Sequence, residues 1–234
     1  MNDIARRVTA VKENIARAAR AAGREPEDII LVAASKMNDA ERVRQAIAAG
    51  ICVCGENRVQ EMVEKAAQGA YEGARLHFIG HLQRNKAKQV VGLASLIHGV
   101  DSAELMQVID RTAAGKGLRQ DVLLEVNIGA EASKSGFSPE QIPEILARAG
   151  EFSALKVRGL MAIPPICPSE EKIRPYFMRM KQLFVDNGAK KYDNVSMDFL
   201  SMGMSGDYEV AIACGANIVR VGSAIFGPRD YSQK

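Results

Sequence analysis

The sequence predicts an α/β protein, a single (β/α)₈ TIM barrel, on three observations. Eight short apolar, β-branched runs alternate with longer amphipathic stretches, and regular β-α alternation means parallel strands with helices outside. The eight units occupy ~200 residues, a span in which such a barrel can close. No Pro-, Gly- or Ser-rich linker, tandem repeat or low-complexity tract divides the chain. The reading is one domain over residues 1–234, with a helical extension over 1–28 and the barrel over 29–234. A doubly wound open sheet is the competing architecture.

In chain order, residues 2–22 read as an extra amphipathic, basic helix ahead of the barrel. The first strand (29–34) leads to a helix over 39–49, and the second (51–54) to a helix from about 59. The third strand (76–79) precedes a basic helix beginning near Leu82, and the fourth (96–100) a helix over 103–114. Then follow strand 122–128 with helix 139–149, strand 155–163 with helix 170–186, strand 197–202 with helix 208–214, and a last strand over 218–221. β-branched and aromatic residues favour the short runs, whereas the longer stretches carry the 3.6-residue period of one-faced helices.

Composition removes several function classes. Apolar residues make up 47% of the chain, enough for a sizeable core, and charged residues an ordinary 25%. With no Trp, 5% aromatics and a dispersed net charge of +3, stacking platforms and a basic footprint for nucleic acid are both lacking. A small anionic ligand remains compatible. No apolar run approaches the ~18 residues of a membrane span, and the basic start lacks the apolar core of a secretory signal. The expectation is a cytoplasmic protein with no nucleic-acid or membrane partner, monomeric by default. Cys52, Cys54, Cys167 and Cys214 show no paired CxxC spacing. They read as thiols buried under helices rather than as a metal site, although Cys52 and Cys54 share a face.

A barrel places its site at the C-terminal ends of its strands, so the polar residues there matter most. Lys36 ends the first strand and shares parity with Val32 and Ala34. Pointing inward, it would lose charge through burial and offer the neutral amine that Schiff-base formation needs. A solvated lysine just past a strand end is the other reading. The second strand ends in Gly55-Glu56-Asn57, with Asn57 inward and both cysteines outward. His81 ends the third strand, where it reads as a cap of the next helix, and Asp101, Ser102, Glu125 and Asn127 gather on the fourth and fifth. After the seventh strand comes Ser201-Met202-Gly203-Met204-Ser205-Gly206-Asp207, and within the eighth Arg220-Val221-Gly222-Ser223. Small residues with exposed backbone N–H groups form anion sites, and these two loops are the usual phosphate cradle of a barrel. Arg220 could bind that phosphate, meet the far end of the ligand, or form a structural salt bridge to Glu125.

These motifs, together with His77-Phe78-Ile79-Gly80-His81-Leu82-Gln83-Arg84-Asn85-Lys86, Ser133-Lys134-Ser135-Gly136 and Gly159-Leu160-Met161, resemble the pyridoxal phosphate homeostasis protein family over almost the whole chain. The resemblance implies a single barrel similar to the N-terminal domain of alanine racemase. It implies pyridoxal 5′-phosphate (PLP) as cofactor, held as a Schiff base on Lys36. Ser205, Gly222 and Ser223 would hold its phosphate, Arg220 would face the pyridine nitrogen, and Asn57 would lie beside the ring. The chain departs from the family pattern at Met37-Asn38-Asp39, where Thr and a nearby Pro are common. It departs again at Cys54 and Arg58, which replace frequent aromatics, while Ser223 keeps the hydroxyl of a usual Thr.

An arginine at the pyridine nitrogen cannot give up its proton, so it leaves that nitrogen unprotonated and weakens the ring as an electron sink. The expected function is thus intracellular PLP homeostasis as a carrier or buffer, with PLP-dependent apo-enzymes as partners. The alternatives are a PLP-dependent amino-acid racemase and a PLP-free Schiff-base aldolase. None of Tyr71, Tyr176, Tyr192, Tyr208 or Tyr231 sits in a motif assignable to a racemase's second base.

Overall fold

Strand pairing decides between the two architectures. The computed structural model describes residues 3–228. Its strands are β1 (Ile30–Ala34), β2 (Val53–Glu56), β3 (Arg75–Phe78), β4 (Leu96–Val100), β5 (Gln120–Glu125), β6 (Leu155–Met161), β7 (Val195–Ser201) and β8 (Ile218–Val221). They pair in sequence order, all parallel, and β8 returns to β1 with Ile30 opposite Ile218 and Ala33 opposite Val221. That pairing closes the sheet and excludes the open one. Outside lie α2 (Ala40–Ala48), α3 (Val59–Ala67), α4 (Ala87–Val90), α5 (Ala103–Gly115), α6 (Ile142–Ala147), α7 (Glu170–Gly188), α8 (Tyr208–Ala213) and α9 (Ser223–Phe226), with α1 (Asp3–Ala21) ahead of the barrel.

Strand alternation sorts the side chains into two sets. Val32, Val53, Ile79, Leu96, Leu123, Met161 and Ile218 pack inside the barrel. Their neighbours, among them Ala33, Cys54, Phe78, Ile97, Leu124, Leu160 and Val219, face outward into a larger core beneath the helices. Helix α1 buries a stripe of Ile4, Val8, Val11, Ile15 and Ala19, the i, i+4, i+7 spacing of a one-faced helix. It packs on α8 and α9, where Asn14 Nδ2 donates to the Tyr208 hydroxyl (3.2 Å) and Arg17 pairs with Glu209 (2.9 Å).

Four details differ from the sequence expectation. The helix expected from Leu82 is a 3₁₀ turn over 84–86 followed by the single turn α4. Gly92, at φ +83°, turns the chain away just after it, a backbone conformation that suits glycine. β5 starts and ends earlier than expected, at Gln120 and Glu125. Beyond it the Asn127 side chain donates to the carbonyls of Glu131 (2.9 Å) and Lys134 (3.2 Å) and accepts from Glu131 N (3.1 Å). Asn127 is therefore loop scaffolding. Cys54 is buried under the helices as expected, but Cys52 is exposed, because it precedes β2 instead of lying in it.

Candidate functional site

The site grows from the ends of β1, β2, β7 and β8. Lys36 continues the inward face of Val32 and Ala34, and the residues on either side of it are fastened to the neighbouring unit. Ser35 N donates to Gly55 O (2.9 Å), and Met37 N donates to Glu61 Oε2 on α3 (2.7 Å). Met37 adopts φ +60°, a left-handed conformation uncommon for a side chain of this kind. Beneath this turn lies a buried ion pair. Lys65 Nζ donates to Glu56 Oε1 (2.8 Å) and to Ser35 O (2.9 Å), while the Ser35 hydroxyl (2.7 Å) and Tyr71 hydroxyl (2.9 Å) donate to the same Glu56 oxygen. Burial, then the Glu56 charge, pushes the Cys54 thiol up to about 12 and raises the Tyr71 hydroxyl too. Glu56 is thus the anchor of the strand end that carries Lys36, and not a cavity residue.

Asn57 follows Glu56 into the cavity wall. Its backbone packs so tightly on β3 that a Cβ on Gly80 would lie 2.3 Å from Asn57 O. Among the described residues the buried Asn57 Oδ1 has no hydrogen-bond partner. An orphan acceptor at that depth costs ~1–3 kcal/mol unless something occupies it.

On the opposite wall, the loop after β7 turns at Gly203 (φ +93°) and is pinned by Asp207 Oδ1, which accepts from Met204 N (2.5 Å). The Ser205 hydroxyl accepts from Gly222 N (3.1 Å) and Ala224 N (3.4 Å), joining the two loops. Gly222 lies against β1, where an added Cβ would meet Ala34 O at 3.3 Å. Arg220 is buried, donating from Nη1 to Ser201 Oγ (2.6 Å) and from Nη2 to Ala162 O (3.0 Å). Burial lowers its guanidinium to about 10, with Glu125 and Asp207 opposing the shift from a distance. It forms no salt bridge with Glu125, so that alternative is set aside.

Between these walls lies a cavity of about 280 Å³ lined by Lys36, Asn57, Ser205, Arg220, Gly222 and Ser223 among others. The other polar strand ends form a separate group on the β3–β5 side. His81 does not cap a helix; its Nδ1 sits 3.0 Å from Asp101 Oδ2, with 58% of its side chain exposed. Burial, then the Asp101 charge, pushes the nearby Glu125 carboxyl up to about 7.

The sequence profile of the alanine racemase N-terminal domain family matches residues 7–230. The pyridoxal phosphate homeostasis protein of Aquifex aeolicus is 42% identical, over 96% of this chain and 98% of its own. Its Escherichia coli K12 counterpart is 39% identical over the whole of both chains. The chain belongs to the pyridoxal phosphate homeostasis protein family. Among solved structures similar to this member, PipY of Synechococcus elongatus with PLP bound superposes with a TM-score of 0.83 at 30% identity, covering 96% of this chain and all of PipY. Alanine racemase from Corynebacterium glutamicum shares the fold, with a TM-score of 0.64 at 13% identity, 97% of this chain covering 63% of that one.

Sequence reasoning for this homeostasis-family chain missed three groups: Glu56 with Lys65, the His77–His98 pair, and Ser201 as a partner of Arg220. The signal for the second was present. Both histidines interrupt apolar strands at inward parity, in Leu76-His77-Phe78 and Ile97-His98-Gly99.

Proposed function

We propose that this chain binds PLP on Lys36 and serves intracellular PLP homeostasis as a carrier or buffer. One observation carries the reading: six residues from four strand ends line one cavity and bring to it an amine, a carboxamide, a buried guanidinium and a Ser/Gly cradle. The donor set fits the cofactor. Lys36 would hold it through a Schiff base on its side-chain amine, with Ser205, Gly222 and Ser223 around the phosphate and Asn57 beside the ring. Arg220 presents donors only, so a ring nitrogen facing it stays an unprotonated acceptor. When bound, the cofactor supplies a reactive aldehyde on an electron-withdrawing ring. The whole of residues 1–234 acts as one PLP-binding domain in the cytoplasm, and PLP-dependent apo-enzymes are the partners it would supply.

The wall's chemistry supports handling rather than turnover. Racemisation needs a second acid–base group on the face opposite Lys36. The described tyrosines are occupied elsewhere: Tyr71 on Glu56, Tyr192 on Asn187, Tyr208 on Asn14, and Tyr176 packed on the outer core. Tyr231 lies outside the described residues.

The test begins with the visible spectrum of PLP-loaded protein, then borohydride reduction and peptide mapping. Label on Lys36 is the expected result; label mainly on Lys65, Lys86 or Lys134 overturns the assignment. Incubating the loaded protein with single enantiomers of common amino acids separates carrier from racemase. Interconversion at roughly 1 s⁻¹ or faster would hand the function to the racemase.

A further inference from the structure

A line of buried polar side chains crosses the barrel interior among its apolar residues. His77 on β3, His98 on β4, Ser201 on β7 and Arg220 on β8 share the inward parity of Ile79, Leu96, Phe199 and Ile218. Their exposures are 4%, 0%, 0% and 4%. They form an unbroken chain of contacts: Arg220 Nη1 to Ser201 Oγ at 2.6 Å, Ser201 Oγ to His98 Nδ1 at 3.0 Å, and His98 Nε2 to His77 Nδ1 at 3.0 Å. Of the four, Arg220 alone projects into the cavity.

The guanidinium sets a direction on this chain. It has no acceptor, so Ser201 Oγ must accept from Arg220. The serine proton then has one partner within the chain, the lone pair of His98 Nδ1. That places the His98 proton on Nε2, where it donates to His77 Nδ1, and places the His77 proton on its own Nε2. The reverse order would leave the buried Ser201 hydroxyl proton unspent, a cost of ~1–3 kcal/mol. It would also turn the positive edge of His98 toward Arg220.

We propose that Ser201 and His98 are positioning residues, which fix the Arg220 guanidinium in the cavity wall through a one-way relay of neutral imidazoles protonated on Nε2. Burial, the mutual contact of the two rings and the charge of Arg220 all hold the His98 imidazole neutral, and burial takes His77 down to about 3. Around the relay the titratable groups are Glu125 on β5 and Asp207 before α8, whose charges reach Arg220, and Arg75 on β3, whose charge reaches His77. The consequence for a ligand rests on the PLP reading above. The relay itself does not, because all its members are on the chain.

Two measurements keep these apart. In ligand-free full-length protein, long-range ¹H–¹⁵N correlation should show His98 with a bare Nδ1 and a protonated Nε2, unchanged from pH 5.5 to 8.5. An imidazolium, or the Nδ1–H tautomer, overturns the relay whatever the ligand. In PLP titrations, Ser201→Ala and His98→Leu should each shift the absorbance maximum of the bound cofactor and weaken affinity about tenfold, ~1.4 kcal/mol. His98→Gln, whose amide can accept from Ser201 and donate to His77, should keep the wild-type spectrum. A purely structural role would lower thermal stability in all three variants and leave the absorbance maximum where it was. A folded Ser201→Ala protein with wild-type spectrum and affinity overturns the positioning role. Failure of the wild-type protein to take up PLP would sink the PLP reading and leave the relay to the nitrogen spectra.

Discussion

The two sides of the barrel mouth are built on different principles. On the β8–β1–β2 side two cations are sunk below the surface and fastened: Arg220 to Ser201 and Ala162, and Lys65 to Glu56 and Ser35. On the β3–β4–β5 side the charges are shallower and mutually adjustable, with exposed His81 leaning on Asp101 and Glu125 poised to titrate near neutrality. In the proposed PLP site the fastened side would hold the phosphate and ring in one place, because its hydrogen bonds are set before anything arrives. The looser side has protons to move but little to fix their positions. A molecule that retains a reactive cofactor needs the first arrangement more than the second.

The largest effect should come from undoing a fastening. Lys65→Met leaves the Glu56 carboxylate buried without its cation, and breaking such a pair costs ~3–5 kcal/mol. Urea unfolding should report it; a loss under ~1 kcal/mol would mean that the pair does not hold the Lys36 strand end. Next is Gly222→Glu, which brings a side chain against Ala34 and a like charge toward a phosphate. PLP affinity should fall on the order of 100-fold, about 2.7 kcal/mol. An unchanged titration in a folded variant would move the phosphate site elsewhere.

The looser side should answer to pH instead. Glu125 titrates at about 7 in the folded protein against an ordinary 4.5, so the folded state holds this proton more tightly than the unfolded one. Stability from this group is therefore greatest below 4.5, declines as pH rises toward 7, and stays low above it. Glu125→Gln should flatten that slope and be ~1–3 kcal/mol more stable than wild type at pH 8. Equal slopes would show that Glu125 is solvated after all. The smallest effect belongs to His81→Ala. A contact with so exposed an imidazole contributes ~0–1 kcal/mol, and a loss above ~2 kcal/mol would erase the distinction between the two sides.

The barrel was legible in the sequence because each strand's alternation repeats one rule eight times, and errors at one end do not propagate. The same parity put Lys36, Asn57 and Arg220 inward. What parity does not encode is partnership. Lys65 stands in a charged helical stretch that reads as a solvated face, and only the closeness of α3 to the β1 end shows that it is buried on Glu56. Ser201 and His98 are 103 residues apart and meet only because closure of the barrel brings the inward side chains of β4 and β7 together. Local pattern also failed at residues 82–90, where the basic sequence has helical composition but Val90, Val91 and Gly92 allow a single turn.

The docking of α1 has a consequence for how the molecule is made. Its apolar stripe is synthesised well before the surfaces that cover it, α8 and α9; Asn14 and Tyr208 are 194 residues apart. β1 likewise waits for β8. At elongation rates of ~5–20 residues per second, roughly 10–40 s separate the helix from its seat. During that interval Ile4, Val8, Val11 and Ile15 lack the cover that α8 and α9 give them. Ring closure and α1 docking are therefore late, coupled events, and a chain truncated before Tyr208 should be captured as an aggregation-prone intermediate rather than as a smaller folded barrel.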